Sequence, residues 1–144
     1  MQDITIEELY EEFDDLADSH EQIDYLIDLG MDLPELPDEA KSEENRVHGC
    51  MSNVWLVART SDSSPPVVEF TANSDSMIVS GLIVVVRALY SGKTPKEIAS
   101  VDAHEAFAKL GLDRHLSTQR RNGLSGMVDR VRQLAVQAEA ESAS

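Results

Sequence analysis

A single thiol, Cys50, sets the chemistry open to this chain of 144 residues. It stands in "NRVHGCMSNVWL", residues 45 to 56, directly after Gly49 and five residues before Trp55. A dithiol oxidoreductase needs a resolving cysteine, and there is none. Zinc asks for four ligands, or three and a water, whereas Cys50 has His48 nearby and His20, His104 and His115 scattered along the chain. Iron–sulfur ligation asks for still more thiolates. A papain-like nucleophile needs a paired histidine and usually a helix N-terminus, but Cys50 leads into a strand-like run, with only Arg46 and His48 to favour the thiolate. What survives is chemistry in which one thiol takes a group and hands it on. The plainer alternative is a small buried apolar side chain. A place in a loop, between Gly49 and the turn formers Ser52 and Asn53, speaks less for that than a place on an apolar stripe would.

The elements that must position this thiol follow from caps and periodicity. Thr5 and Glu8 have capping-box spacing, with Ile6, Leu9, Tyr10, Phe13 and Leu16 recurring at helical period behind them. Ser19 and Gln22 repeat the box for a second helix, and Gly30 stands where its C-cap belongs. Pro34, Pro37 and "DEAKSEEN" predict a surface loop leading to the cysteine. Residues 46 to 73, with "VWLVART", the turn "SDSSPP" and "VVEFTA", predict a small antiparallel meander. From Met77 to Tyr90 a buried helix is expected, capped by Ser74 or Asp75, with its valines leaving a strand as the lesser reading. "TPKE" at Thr94 opens another helix, Asp102 a short one ending near Gly111, and residues 117 to 140 a last, amphipathic one. Helices, then strands, then helices predict an α+β single domain over residues 1 to 144, with a small three-stranded antiparallel sheet covered by helices. Trp55 is expected to anchor the core.

Charge is unevenly placed. Residues 1 to 50 carry 17 acids against Lys41 and Arg46, while residues 51 to 144 hold 10 acids and 10 bases, giving −15 overall. A phosphate backbone would be repelled by the acidic third, so nucleic acid is not an expected partner. The acids read as a solvated face suited to high salt, or as steering toward a basic protein. The run "MIVSGLIVVV" is too short to span a bilayer, no membrane association is expected, and the acidic start lacks the pattern of a secretory signal. A lone free thiol and no signal make the cytoplasm the expected location.

Taken together, "YLIDLG", "LPELPDEAK", Val47 to Leu56 as V-x-G-C-x-S-x-V-W-L, "SDSMIVSGLI", "ALYSGKTPKEI" and "LSTQRRNGL" resemble the SufE family of sulfur-acceptor proteins over nearly the whole chain. The resemblance implies that Cys50 receives sulfane sulfur from the persulfide of a SufS-like cysteine desulfurase, stimulates that enzyme, and passes the sulfur to a SufBCD-like iron–sulfur cluster scaffold. The partner would carry the pyridoxal phosphate, and this chain would bind no cofactor or metal. It further implies that Gly49, Asp75 and Arg120 position the cysteine loop or meet the partner. Each has a plainer role: Asp75 as a helix N-cap and Arg120 as a solvated surface cation. Two readings from other classes stay open at this point. One is an acidic adaptor domain with a structural cysteine, which would tolerate serine at position 50. The other is a cysteine hydrolase, which would need a histidine to converge on the thiol.

Overall fold

The structure is a computed structural model, and it describes residues 4–16, 18–48 and 52–143. Gly49 and Cys50, the residues on which the chemistry rests, lie outside the described residues, as does Met51. The described chain supplies the framework on either side of them.

Two helices lead. In α1 (Ile6–Asp15) the Thr5 and Glu8 side chains each accept the other's backbone N–H at 3.1 Å, as the spacing predicts, and Leu9 and Phe13 are buried. In α2 (Ser19–Gly30) the cap is Asp18, one residue earlier than expected, whose carboxylate accepts the Glu21 N–H at 2.9 Å. Gln22 reaches back instead to the Phe13 carbonyl at 3.0 Å, tying the end of α1 to α2. Gly30 is the last residue of α2 and its C-cap is Met31, in ordinary helical conformation. The glycine is there for packing: a Cβ on it would come within 2.7 Å of the Gly81 backbone nitrogen.

The sheet has two strands, β1 (Val54–Thr60) and β2 (Val68–Ser74), paired antiparallel with Leu56 opposite Ala72 and Ala58 opposite Phe70. The expected third strand is not found among the described residues; beside the two strands stand only the isolated bridges of Arg46 with Trp55 and of Val68 with Lys93. The physical reason lies just upstream. The N–H groups of Asn45 and Arg46 are engaged in turns with the Ser42 and Glu43 carbonyls, so the chain reaches the sheet edge only at residues 45–47. There the Leu56 N–H donates to the Asn45 carbonyl at 2.9 Å, and the Val47 N–H to the Val54 carbonyl at 2.8 Å.

One face of this ribbon, carrying Val54, Leu56, Val68, Phe70 and Ala72, is buried under helices. On the other face, buried Asn73 fastens the loop before the cysteine. Its side chain accepts the Leu36 N–H at 2.6 Å and donates to the Pro34 carbonyl at 3.0 Å. Trp55, on that same face, is half-buried and therefore no core anchor.

The central element is α3 (Met77–Tyr90), helical as expected, buried along Leu82, Ile83, Val85, Val86, Leu89 and Tyr90. Its cap is Ser76, whose hydroxyl accepts the Val79 N–H at 3.3 Å; neither Ser74 nor Asp75 serves. Short helices α4 (Pro95–Ser100) and α5 (Ala103–Lys109) start at Thr94 and Asp102 as predicted. A further turn, α6 (Leu112–His115), follows Gly111, whose φ of 72° favours glycine. Last, α7 (Thr118–Ala143) buries Leu124, Met127, Val128, Val131, Ala135 and Ala138 and packs against α3, α4 and both strands. Among the described residues no helix is long and apolar enough to cross a membrane.

Candidate functional site

A backbone hydrogen bond joins the Val47 N–H to the Val54 carbonyl at 2.8 Å, and Cys50 falls between these two residues in sequence. Both of its described limbs are held. On the N-terminal side, His48 passes so close to α7 that a Cβ on Gly126 would stand 2.9 Å from the His48 carbonyl oxygen. A glycine inside an otherwise helical pattern is a sequence sign of such close approach, and "SGM" at 125–127 carries it. One turn further along α7, the Arg130 guanidinium donates to the Glu44 carbonyl at 3.4 Å.

On the C-terminal side, Asp75 makes the hold. Its carboxylate accepts the Asn53 backbone N–H at 3.1 Å and the Asn53 side-chain amide at 2.9 Å. This explains why Asp75 is not the cap of α3. Its oxygens face back across the sheet end toward the cysteine connection, and Ser76 next to it is left to satisfy the helix. No spacing rule reveals such a choice, because it is made by a residue 22 positions away.

Arg120 lies in the first turn of α7, exposed, with its N–H donating to the Ser117 hydroxyl at 3.3 Å. It borders a cleft of about 350 Å³ that Ser52 also lines. The floor is apolar, made by Val79 and Leu82 of α3 with Leu124 and Met127 of α7. The structure thus brings Asp75 and Arg120 to the same limb of the cysteine connection by different routes. Asp75 bonds Asn53, and Arg120 shares a cleft with Ser52. They do not share a cleft with each other, since Asp75 borders a second groove beside Trp55 and Ser80.

The charged residues before the cysteine are not free to act on it alone. Arg46 lies 3.5 Å from the Glu43 carboxylate and His48, exposed, lies 3.9 Å from it. The described limbs are thus anchored on either side of Cys50 in sequence, and Ser52 shares its cleft with apolar residues of α3 and α7.

Comparison with known proteins places the chain among relatives. The family model described as "SufE: Fe-S metabolism associated domain" matches residues 7–135. An uncharacterized SufE-like protein of Rhizobium etli is 46 % identical over 132 residues, covering 91 % of this chain and 89 % of the relative. Another, from Rhizobium meliloti, is 41 % identical over 129 residues, covering 89 % and 92 %. Among solved structures, the solution structure of a hypothetical protein from Thermus thermophilus superposes with a TM-score of 0.75 at 18 % identity, over 97 % of this chain and 99 % of that one. At that identity the likeness speaks for the fold alone.

Proposed function

This chain belongs to the SufE family, and on that premise we propose that it is a sulfur carrier whose Cys50 accepts persulfide sulfur from a cysteine desulfurase and delivers it to an iron–sulfur cluster scaffold. The matched domain is associated with Fe–S metabolism, which is the level at which its relatives support the role. In the transfer step the Cys50 thiolate attacks the terminal sulfur of the donor persulfide. A new S–S bond forms at Cys50, the donor's S–S bond breaks, and the desulfurase cysteine leaves as thiolate. Delivery repeats the exchange with Cys50 as the leaving thiolate. No net oxidation is involved, so one thiol suffices. The partner supplies pyridoxal phosphate chemistry; this chain's work is to clear the product sulfur so that turnover continues.

The observation that carries this reading is the two-sided hold on the cysteine connection, by Gly126 on one limb and Asp75 on the other, beside an apolar cleft that begins at Ser52. Transfer requires two sulfur atoms to meet in a defined geometry, which a fixed presentation favours. The cleft with apolar lining that Ser52 borders, two residues after Cys50 in sequence, supports the further reading that a persulfide rests partly shielded between donor and acceptor, where small oxidants reach it less readily.

The test is intact mass after incubation with a cysteine desulfurase and cysteine. Wild-type protein should gain the mass of one sulfur atom, removable by a small reducing thiol, and the Cys50→Ser variant should fold normally, gain nothing and fail to stimulate the desulfurase. Absence of the mass gain in the wild type, or full stimulation by Cys50→Ser, would overturn the proposal. The second outcome would favour an adaptor with a structural cysteine instead.

A further inference from the structure

Arg130 of α7 is not an ordinary surface cation. Its Nε is buried and meets no hydrogen-bond partner among the described residues, while a terminal nitrogen of the same guanidinium donates to the Glu44 carbonyl at 3.4 Å. A long basic side chain normally lays its stem on the protein and keeps its head in water, and buried polar groups are normally hydrogen-bonded. A side chain that forgoes both at Nε is held by what its stem and its end touch. What they touch is the segment that leads to the cysteine: Arg130 shares a groove of about 290 Å³ with Glu44, Val47, His48 and Gly126.

That segment is gripped from two sides. Toward the sheet, the Asn45 carbonyl accepts the Leu56 N–H at 2.9 Å and the Val47 N–H donates to the Val54 carbonyl at 2.8 Å. Toward α7, Glu44 offers its carbonyl to Arg130, and the His48 carbonyl oxygen lies 2.9 Å from where a Cβ on Gly126 would stand. The segment's own cations turn elsewhere, because Arg46 and His48 both face Glu43, at 3.5 and 3.9 Å. Gly126 gives room but no side chain to bond with. Arg130, four positions along α7 and on the same face, supplies the hydrogen bond that the glycine lacks.

We propose that Arg130 is a positioning residue for sulfur transfer: by holding Glu44 to α7 it fixes the direction in which the chain runs past His48 toward Cys50, two residues further on. Removing the donor frees Glu44 from α7 while the two sheet bonds remain, so the segment can swing about Asn45 and Val47 without unfolding. The loss then falls on how often the thiol is aligned with the donor sulfur, not on affinity for the donor protein. This rests on the sulfur-carrier reading for the reaction; the hold on the segment does not.

The experiment compares Arg130→Met, which keeps the stem and removes the donors, with Arg130→Lys, whose ammonium can still donate to a carbonyl. Arg132→Ala is the control: that arginine, also on α7, donates to the Val101 carbonyl at 2.9 Å and not to the segment before the cysteine. With a SufS-type cysteine desulfurase, Arg130→Met should lower the maximal rate of sulfur uptake by about fivefold and leave the half-saturating concentration unchanged, and Arg130→Lys should regain most of the rate. Without the desulfurase, alkylation of Cys50 by iodoacetamide should quicken by about fivefold in Arg130→Met, and the amides of residues 45 to 48 should exchange faster. Arg132→Ala should alter none of these readouts. Should Arg130→Met fail to fold, Arg130→Gln, polar but too short to reach Glu44, takes its place. An unchanged maximal rate, a loss that appears in the half-saturating concentration instead, or an equal effect of Arg132→Ala would overturn the positioning role. If the wild type takes up no sulfur, the carrier function falls and alkylation decides alone: a quickened Arg130→Met leaves the hold on the cysteine connection standing, and an unchanged one removes it as well.

Discussion

Asp75 and Asn53 hold each other through three hydrogen bonds: two from Asn53 to the Asp75 carboxylate, at 3.1 and 2.9 Å, and one from the Asp75 N–H to the Asn53 carbonyl at 3.4 Å. The clamp joins the start of the central helix to the residue that precedes β1, so it fixes where the cysteine connection re-enters the sheet.

Loss of this clamp should harm transfer more than stability. Its bonds are exposed to water, so Asp75→Ala should cost about 1 kcal/mol, a melting shift of a few degrees. Freed from Asn53, the connection would present Cys50 over a wider range of positions, and sulfur transfer should fall by roughly tenfold or more, consistent with the sensitivity of reaction to small misplacements. Asp75→Asn, which keeps one acceptor, should fall between. Equal losses of transfer and folding across the two variants would mean that the clamp acts only through the fold.

The sequence made the local signals legible and left the tertiary ones hidden. Thr5 with Glu8 and Thr94 with Glu97 close the boxes their spacing predicts, because both partners lie within one turn. Where two capping residues adjoin, spacing alone does not choose: Asp18 caps α2 in place of Ser19, and Ser76 caps α3 because Asp75 is drawn to Asn53. The third strand fails for a similar reason, since turns at Ser42 and Glu43 leave only Arg46 to pair. Trp55 reads as core from its type, yet its register places it opposite Asn73 on the loop-covered face. In the candidate site, resemblance singles out Asp75 and Arg120 and the glycine of "SGM" signals a close approach, but its partner His48 and the cleft lining from α3 and α7 emerge only when distant segments meet.

The contact of α2 with α3 depends on glycine at both positions. A Cβ on Gly81 would lie 2.8 Å from the Leu26 carbonyl oxygen, and that atom is backbone, with little room to retreat. Alanine gains roughly 1 kcal/mol in helix propensity, but overpacking a rigid contact costs about 1–3 kcal/mol. Gly81→Ala should therefore be net destabilising, by up to about 2 kcal/mol in urea denaturation. A stabilised variant would show that the helices separate at little cost.

Alkaline pH should loosen the fold through Tyr90. Burial pushes its hydroxyl above the usual 10.0, against the opposing pull of the Arg132 guanidinium. That guanidinium is near enough to act through its charge, but no group among the described residues meets the hydroxyl with the geometry of a hydrogen bond. A raised folded pKa means the unfolded chain ionises first. Stability is full below pH 10 and declines as pH rises through the folded value. Tyr10 and Tyr25, raised chiefly by burial as well, act in the same sense. Tyr90→Phe should leave the melting temperature at neutral pH unchanged or slightly higher and reduce the alkaline loss. An undiminished loss in the variant would assign the effect to other groups.

Arg120 separates a local role from long-range steering. Its guanidinium makes no hydrogen bond or ion pair to any described residue, so its removal should leave the fold intact. It borders the cleft that Ser52 also lines, two residues after Cys50, where a sulfur donor would approach under the proposed function. The acids of residues 1 to 44 act at longer range, and such steering is screened once the Debye length falls to about 3 Å near 1 M salt. Arg120→Ala should consequently slow sulfur transfer at high and low salt alike, by about tenfold, with the melting temperature unmoved. Neutralising several exposed acids of α1, such as Glu7, Glu11 and Asp14, should slow it chiefly at low salt. Transfer rates measured for both variants across ionic strength decide the matter: a high-salt rate unchanged by Arg120→Ala would place this arginine outside the site and leave the anchoring of His48 and Asn53, on either side of Cys50 in sequence, to Gly126 and Asp75.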